Sequence, residues 1–237
     1  MQVELKSLEK IKRYLAHKVK LPELGEYARL NDDDLWLKMV IQFCVMGGTR
    51  MFDNLMRNET AFSGFKKEIG LNKLLSIKKD RVKRIETVLK NYKATRFYSK
   101  QAKKIDDILK EIKVVDKGHV VLLDRLSHKQ DFSTIRKELR KRNKYFKLKS
   151  ASDFMINVGL SHDVMALDTR LVRILKDHFG LNIDVRKVQR NKKIYESIEE
   201  AIREACKEIG ISLAHLDRIF FKYSDKNAIS FIIEDLQ

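Results

Sequence analysis

Proline occurs once, at Pro22, and glycine only nine times in 237 residues. Strands and hairpins depend on both for their turns, so this scarcity argues against a β-rich fold and for long helices. Cysteine is nearly missing too. Cys44 and Cys206 stand far apart, which argues against a disulfide framework and excludes any site built on four cysteines. The six histidines show no close metal-ligand spacing, so a metal enzyme is disfavoured. No run approaches the ~18 apolar residues of a membrane span. The stretch MQVELKSLEKIKRYL has neither the apolar core nor the small-residue cleavage site of a secretory signal. The expected location is intracellular, in the cytoplasm or nucleoid.

What the chain has in excess is positive charge. Fifty Lys+Arg against 33 Asp+Glu leave a formal +17 and a pI near 9.7. Such a field attracts polyanions, and nucleic acid is the commonest one inside a cell. A lysine-rich composition of hot or salt-stressed habitats, or a lipid-facing basic surface, is the competing reading. At 237 residues, 43% of them hydrophobic, the chain is long enough for one large domain or two small lobes around a sizeable core.

The apolar spacing is helical. In NDDDLWLKMVIQFCVMGG an Asn/Asp cluster caps a largely buried helix carrying Leu35, Met39, Ile41, Phe43 and Val45, ended by Gly47-Gly48. Val82, Ile85, Val88 and Leu89 form one 3.6-period stripe; Ile105, Ile108, Leu109 and Ile112 form another. Gly159, Gly180 and Gly210 fall where helices should stop. The one stretch that could be a strand, HVVLL at 119–123, is read as helix. The expected fold class is all-α, with no linker or repeat that demands separate domains.

Basic residues cluster at 136–149, RKELRKRNKYFKLK, with eight Lys/Arg in fourteen residues and Tyr145 and Phe146 between them. Such a run is usually a solvated helix face, but this one leads into KSASDFMINVGLSHDVMALDTRLV. There Lys149 opens one helix and Asp168 the next. Asp168 before TRLVRILKDHFG has the form of an N-cap accepting from the amides of Arg170 or Leu171, and a lysine in a basic run is normally solvated. A second role is compatible with both. An amine nucleophile must be unprotonated, so its pKa has to fall from ~10.4, and a carboxylate can take the proton. A ten-residue helix spans ~15 Å, and the connection at 159–167 can stretch beyond ~25 Å, so Asp168 can return beside Lys149.

KSASDFMINVG, a short connection and MALDTRLVRIL together resemble the helix-hairpin-helix DNA glycosylase superfamily, most closely its small archaeal-type 8-oxoguanine DNA glycosylase/AP lyases. Arg96-Phe97-Tyr98-Ser99-Lys100-Gln101-Ala102 is similar to that family's RFY-x-K-x-A element, and Leu216-Asp217 with Phe220, Phe221 and Tyr223 is more loosely similar to its C-terminal aromatic helix. The resemblance implies a two-lobed helical bundle with a helix-hairpin-helix element and an interlobe cleft. Residues 1–237 would form a single glycosylase unit of two helical lobes, with 136–175 holding the hairpin and catalytic segment. It also implies a metal- and cofactor-free monomer acting on double-stranded DNA that contains a damaged base, 8-oxoguanine being favoured. Lys149 would attack the sugar C1′ and form a Schiff base that permits β-elimination, and Asp168 would assist. Arg142, Lys144, Lys147 and Arg170 would grip phosphates; Phe97, Phe220 and Phe221 would line the base pocket.

Two features depart from the family pattern. Its hairpin usually offers Gly-x-Gly before the lysine, where this chain has Tyr145-Phe146-Lys147-Leu148, so Lys147 would supply charge in place of bare backbone. Its chains tend to end in lysine, and this one ends Glu234-Asp235-Leu236-Gln237. Two other readings stay open: a glycosylase for another damaged or mismatched base, and a non-catalytic helical DNA-binding protein.

Overall fold

The computed structural model describes residues 5–181 and 184–223; the chain end at 234–237 lies outside them. Thirteen α-helices occur among the described residues. They are α1 (Leu5–Leu15), α2 (Asp32–Cys44), α3 (Arg50–Met56), α4 (Glu59–Ile69), α5 (Leu71–Leu75), α6 (Arg81–Asn91), α7 (Tyr98–Leu109), α8 (Phe132–Arg142), α9 (Leu148–Asn157), α10 (Thr169–His178), α11 (Val185–Val188), α12 (Lys192–Ile209) and α13 (Leu213–Tyr223). The all-α reading holds with one correction. His119–Val120, expected in a helix, is a strand β2 that pairs antiparallel with β1, Val115–Asp116. Lys117 and Gly118 both adopt positive φ between them, giving the two-residue turn whose twist suits a hairpin. Asp32, at the start of α2, accepts the Val120 amide at 2.8 Å and so anchors β2.

The chain divides into two compact units. One comprises Tyr27–Ser127 and Lys137–Phe146. Asn31 caps α2 as the sequence pattern predicts, accepting from the Asp34 amide, and Asn58 caps α4, accepting from that of Ala61. Trp36, Met39, Val40 and Phe43 of α2 are buried, and the Trp36 indole donates to the Ile69 carbonyl at 2.8 Å. Phe52, Phe65 and Tyr92 meet edge-to-face. Ile41 and Val45 are only half-buried, and Ile112, expected on the α7 stripe, lies beyond that helix and is exposed.

The other unit comprises Met1–Glu26, His128–Arg136 and Lys147–Gln237. Its core joins Leu8, Ile11 and Leu15 of α1 to Leu171, Val172 and Leu175 of α10 and to Ile198, Ile202 and Ile209 of α12. The predicted glycine stops are observed. After α9, Gly159 donates to the Ile156 carbonyl (3.1 Å) and Leu160 to that of Met155 (2.8 Å), a Schellman closure that turns the chain at φ +70°. A Cβ at Gly159 would sit 2.0 Å from the Glu23 carbonyl oxygen, and the Gly159 carbonyl accepts the Gly25 amide at 2.8 Å. Among the described residues no helix is long and apolar enough to cross a membrane.

Gly159 and Gly180 share nearly the same positive φ, but a Cβ at Gly180 meets nothing within 4 Å. Gly180→Ala should therefore cost only the left-handed penalty of about 1–2 kcal/mol. Gly159→Ala should cost clearly more, because backbone must also move. Urea unfolding of both variants measures this, and equal losses would contradict the close packing at Gly159.

Candidate active site

The α9 helix begins at an extended Lys147, whose amide donates to the Ser150 hydroxyl at 2.8 Å. From Leu148 to Ile156 every residue of α9 except Lys149 is buried. Lys149 keeps 31% of its side chain exposed and reaches back along the helix to Asp153, one turn on, at 3.2 Å. Asn157 continues the same face. Across from it, α13 supplies Arg218, whose Nη2 donates to Asp153 Oδ1 (2.7 Å) and Asn157 Oδ1 (3.0 Å). Its Nη1 donates to Asp217 Oδ1 at 2.8 Å. Asp217 Oδ2 in turn accepts the Ala166 amide at 2.7 Å. A chain of alternating charge thus runs Lys149–Asp153–Arg218–Asp217 and ends on the backbone just before Asp168.

Each member depends on its neighbours. Burial alone would raise the Asp153 carboxyl, but Lys149 and Arg218 outweigh it and hold it below the usual carboxylate range. For Asp217 burial wins, assisted by the Asp153 charge and opposed by Arg218, and its pKa is pushed up to about 6. Arg218 loses water on burial, yet the two carboxylates more than compensate and keep it firmly charged.

Asp168 is the N-cap of α10, in the role its sequence context predicts. Its Oδ1 accepts from the amides of Arg170 and Leu171, both at 2.9 Å. Oδ2 faces the Arg170 guanidinium at 3.1 and 3.2 Å, and that guanidinium lies 4.7 Å over the ring of Phe221. Lys149 and Asp168 belong to one unit, and their neighbours Leu148 and Leu167 share one core. The lysine ion pair, however, is made with Asp153.

The remaining expected residues divide. Lys147 is exposed. Lys144 is also exposed and pairs with Asp107 at 3.3 Å. Arg142 donates through Nη1 to the carbonyls of Leu122 (2.9 Å) and Asp124 (2.7 Å), closing a loop of its own unit. In place of the hairpin glycines, Tyr145 is hydrogen-bonded to Asp107 and Phe146 is buried against Phe43. Phe97 is 43% exposed and is held by Arg96, which lies 4.7 Å over its ring and bonds the Gly47 carbonyl. Phe221 is half-buried under Arg170. Phe220, expected beside it in a base pocket, is instead fully buried against Phe179 at 5.7 Å; the phase of α13 turns it into the core. Asp153, Asn157 and Arg218 were not singled out from the sequence. The spacing Lys149-Asp153-Asn157, in steps of four, was the available signal for the first two.

Because Asp217 titrates higher in the folded chain than the ordinary ~3.9, folding binds its proton between about pH 4 and pH 6. Its contribution is therefore most favourable below pH 4 and declines as pH rises to 6. Asp153 has the opposite sign, stabilising above the ordinary carboxylate range and losing that effect in acid. Urea unfolding should show wild-type stability falling relative to Asp217→Asn between pH 4 and 6, by up to about 3 kcal/mol. Parallel curves for the two proteins would contradict the buried, titrating Asp217.

Three solved structures share this fold. A glycosylase/lyase of Methanocaldococcus jannaschii, in complex with a 15mer DNA containing 8-oxoguanine, is 20% identical over 94% of this chain and 97% of its own, with a TM-score of 0.67. A second structure, the 8-oxoguanine DNA glycosylase of the same organism, is 22% identical over 94% of each chain, TM-score 0.68. The 8-oxoguanine DNA glycosylase of Thermotoga maritima is 26% identical over 95% of this chain and 97% of its own, TM-score 0.61. No curated protein sequence matches the chain. The family model for 8-oxoguanine DNA glycosylase, of the helix-hairpin-helix type, matches residues 24–211. The chain thus belongs to the 8-oxoguanine DNA glycosylase family.

Proposed function

We propose that the protein excises 8-oxoguanine from duplex DNA and then cleaves the strand at the resulting site, with Lys149 as nucleophile. The observation that carries this reading is the accessibility of one lysine on an otherwise buried stretch of α9. A helix that packs nearly all round keeps its amine at the surface, next to a carboxylate already engaged by Arg218. To attack, that amine must be neutral.

The target nucleotide is flipped out of the duplex at a cost of a few kcal/mol. Neutral Nζ forms a bond to C1′ as the bond from C1′ to the base nitrogen breaks, and the base departs with that electron pair and takes up a proton. Asp168, as a carboxylate, offsets the positive charge growing on the sugar and then takes the proton that the newly bonded Nζ gives up. Its cap bonds suit it to this, since they fix the carboxylate before substrate arrives. Opening of the sugar ring converts the C1′–N bond to a Schiff base, with O4′ leaving as a hydroxyl. Loss of a C2′ proton then expels the 3′ phosphate. No step calls for a metal or an organic cofactor. Lys144, Lys147 and Arg170 would contact phosphates, and the partly exposed rings of Phe97 in one unit and Phe221 in the other would each be a candidate for stacking on a base. The protein acts as a monomer, and the net charge of +17 makes binding steeply dependent on salt.

Borohydride should trap wild type on a duplex with one 8-oxoguanine and leave undamaged duplex free. Lys149→Gln should abolish the adduct, and Asp168→Asn should slow single-turnover excision about 10²–10⁴-fold. An adduct on abasic duplex alone would assign a different lesion. No adduct on either duplex would overturn the lysine mechanism.

A further inference from the structure

Residues 164–167 lead into Asp168 with no regular secondary structure, yet all four are buried, at no more than 4% exposure. Buried backbone outside a helix or sheet must find other partners for its amides. Here three successive amides are each taken by a different buried side chain. Met165 donates to Glu199 Oε1 at 2.9 Å, Ala166 to Asp217 Oδ2 at 2.7 Å, and Leu167 to the Tyr195 hydroxyl at 3.2 Å. The Tyr195 hydroxyl also donates back to the Met165 carbonyl at 2.5 Å. It therefore bridges residues i and i+2 of the same segment and fixes its twist.

The clamp is itself braced. Tyr195 and Glu199 lie one turn apart on α12 and are fully or almost fully buried. Arg136 donates to both Glu199 oxygens at 2.8 Å and to the Ser152 hydroxyl of α9 at 3.1 Å. Ser152 Oγ lies 3.5 Å from the Tyr195 hydroxyl. Burial holds Tyr195 well above the ordinary phenol range, so it stays a neutral donor and acceptor. One polar network thus ties α9, through the Ser152 hydroxyl, to the segment that delivers Asp168.

We infer that Tyr195 is a positioning residue for the Asp168 carboxylate, acting through the backbone of residues 165–167, with Glu199 and Asp217 completing the clamp. The inference rests on the reading that Asp168 takes part in the chemistry. Tyr195 touches no reacting atom. Its hydroxyl sets where α10 begins, and therefore where the cap carboxylate sits.

The test is a double-mutant cycle in single-turnover excision on 8-oxoguanine duplex, using wild type, Tyr195→Phe, Asp168→Asn and the double variant, followed for hours to resolve slow rates. Tyr195→Phe keeps the ring and its packing. It should lower the excision rate about 10- to 100-fold, with affinity for the lesion duplex changed less than about twofold. In the Asp168→Asn background it should cost nothing further, which a general structural defect would not produce. A Tyr195→Phe loss of the same factor in both backgrounds, or no loss at all, would overturn the inference while leaving Asp168 in its role. Wild-type rates from Asp168→Asn would instead overturn the underlying reading and the inference with it. If Tyr195→Phe fails to fold, amide exchange in the wild type decides: protected Met165, Ala166 and Leu167 amides support the clamp, and loop-like exchange at Leu167 overturns it.

Discussion

Everything at the site depends on how residues 164–167 are buried inside a helical unit. Each backbone amide left unpaired there would cost roughly 1–3 kcal/mol, and among the described residues no strand pairs with the segment to accept them. Side chains from α12 and α13 do so instead, which is why Tyr195, Glu199 and Asp217 are polar where an amphipathic helix would otherwise present only apolar groups to the core. The connection is thereby held in place, and Asp168 starts α10 with its carboxylate aimed by two further amides. The loop that delivers the Asp168 carboxylate is tied down through its own backbone, as the helices around it are.

The same polar groups set the electrostatics. Asp217 holds the Ala166 amide with one oxygen and Arg218 with the other, and Arg218 passes its charge on to Asp153 beside Lys149. Taking charged groups out of water is costly unless they are paired and hydrogen-bonded. Each is paired here, and the most exposed end of the chain is the lysine. The arrangement places the most solvent-exposed group at one end and the group tied to the Asp168 segment at the other.

Local signals were legible in the sequence. Asn31 and Asp168 cap helices from positions where a short polar side chain precedes an apolar period, and Gly159, Gly180 and Gly210 stop them by adopting a φ that other residues resist. The motif around Lys149 and Asp168 led to the family. The failures have physical causes. HVVLL resembled a helix segment because its partner is only two residues long and its turn is Lys-Gly, not the stronger Asn-Gly. Phe220 and Phe221 were not separable without knowing the phase of α13. Arg218 lies 65 residues from Asp153, and nothing local in sequence announces such a partner. Nothing in the sequence marks Tyr195 and Glu199, since a side chain that satisfies distant backbone leaves no periodic trace.

In this account the fold works before the DNA arrives: a clamped connection, a capped carboxylate and one accessible lysine stand ready for a flipped sugar. The most direct measurement is a crystal structure of the borohydride-trapped complex with lesion-bearing DNA. The account predicts a covalent bond from Lys149 Nζ to C1′, with an Asp168 oxygen at about 3–3.5 Å from the sugar and the amide bonds to Tyr195, Glu199 and Asp217 intact. A bond from another lysine, or an Asp168 carboxylate turned away from the sugar, would contradict it.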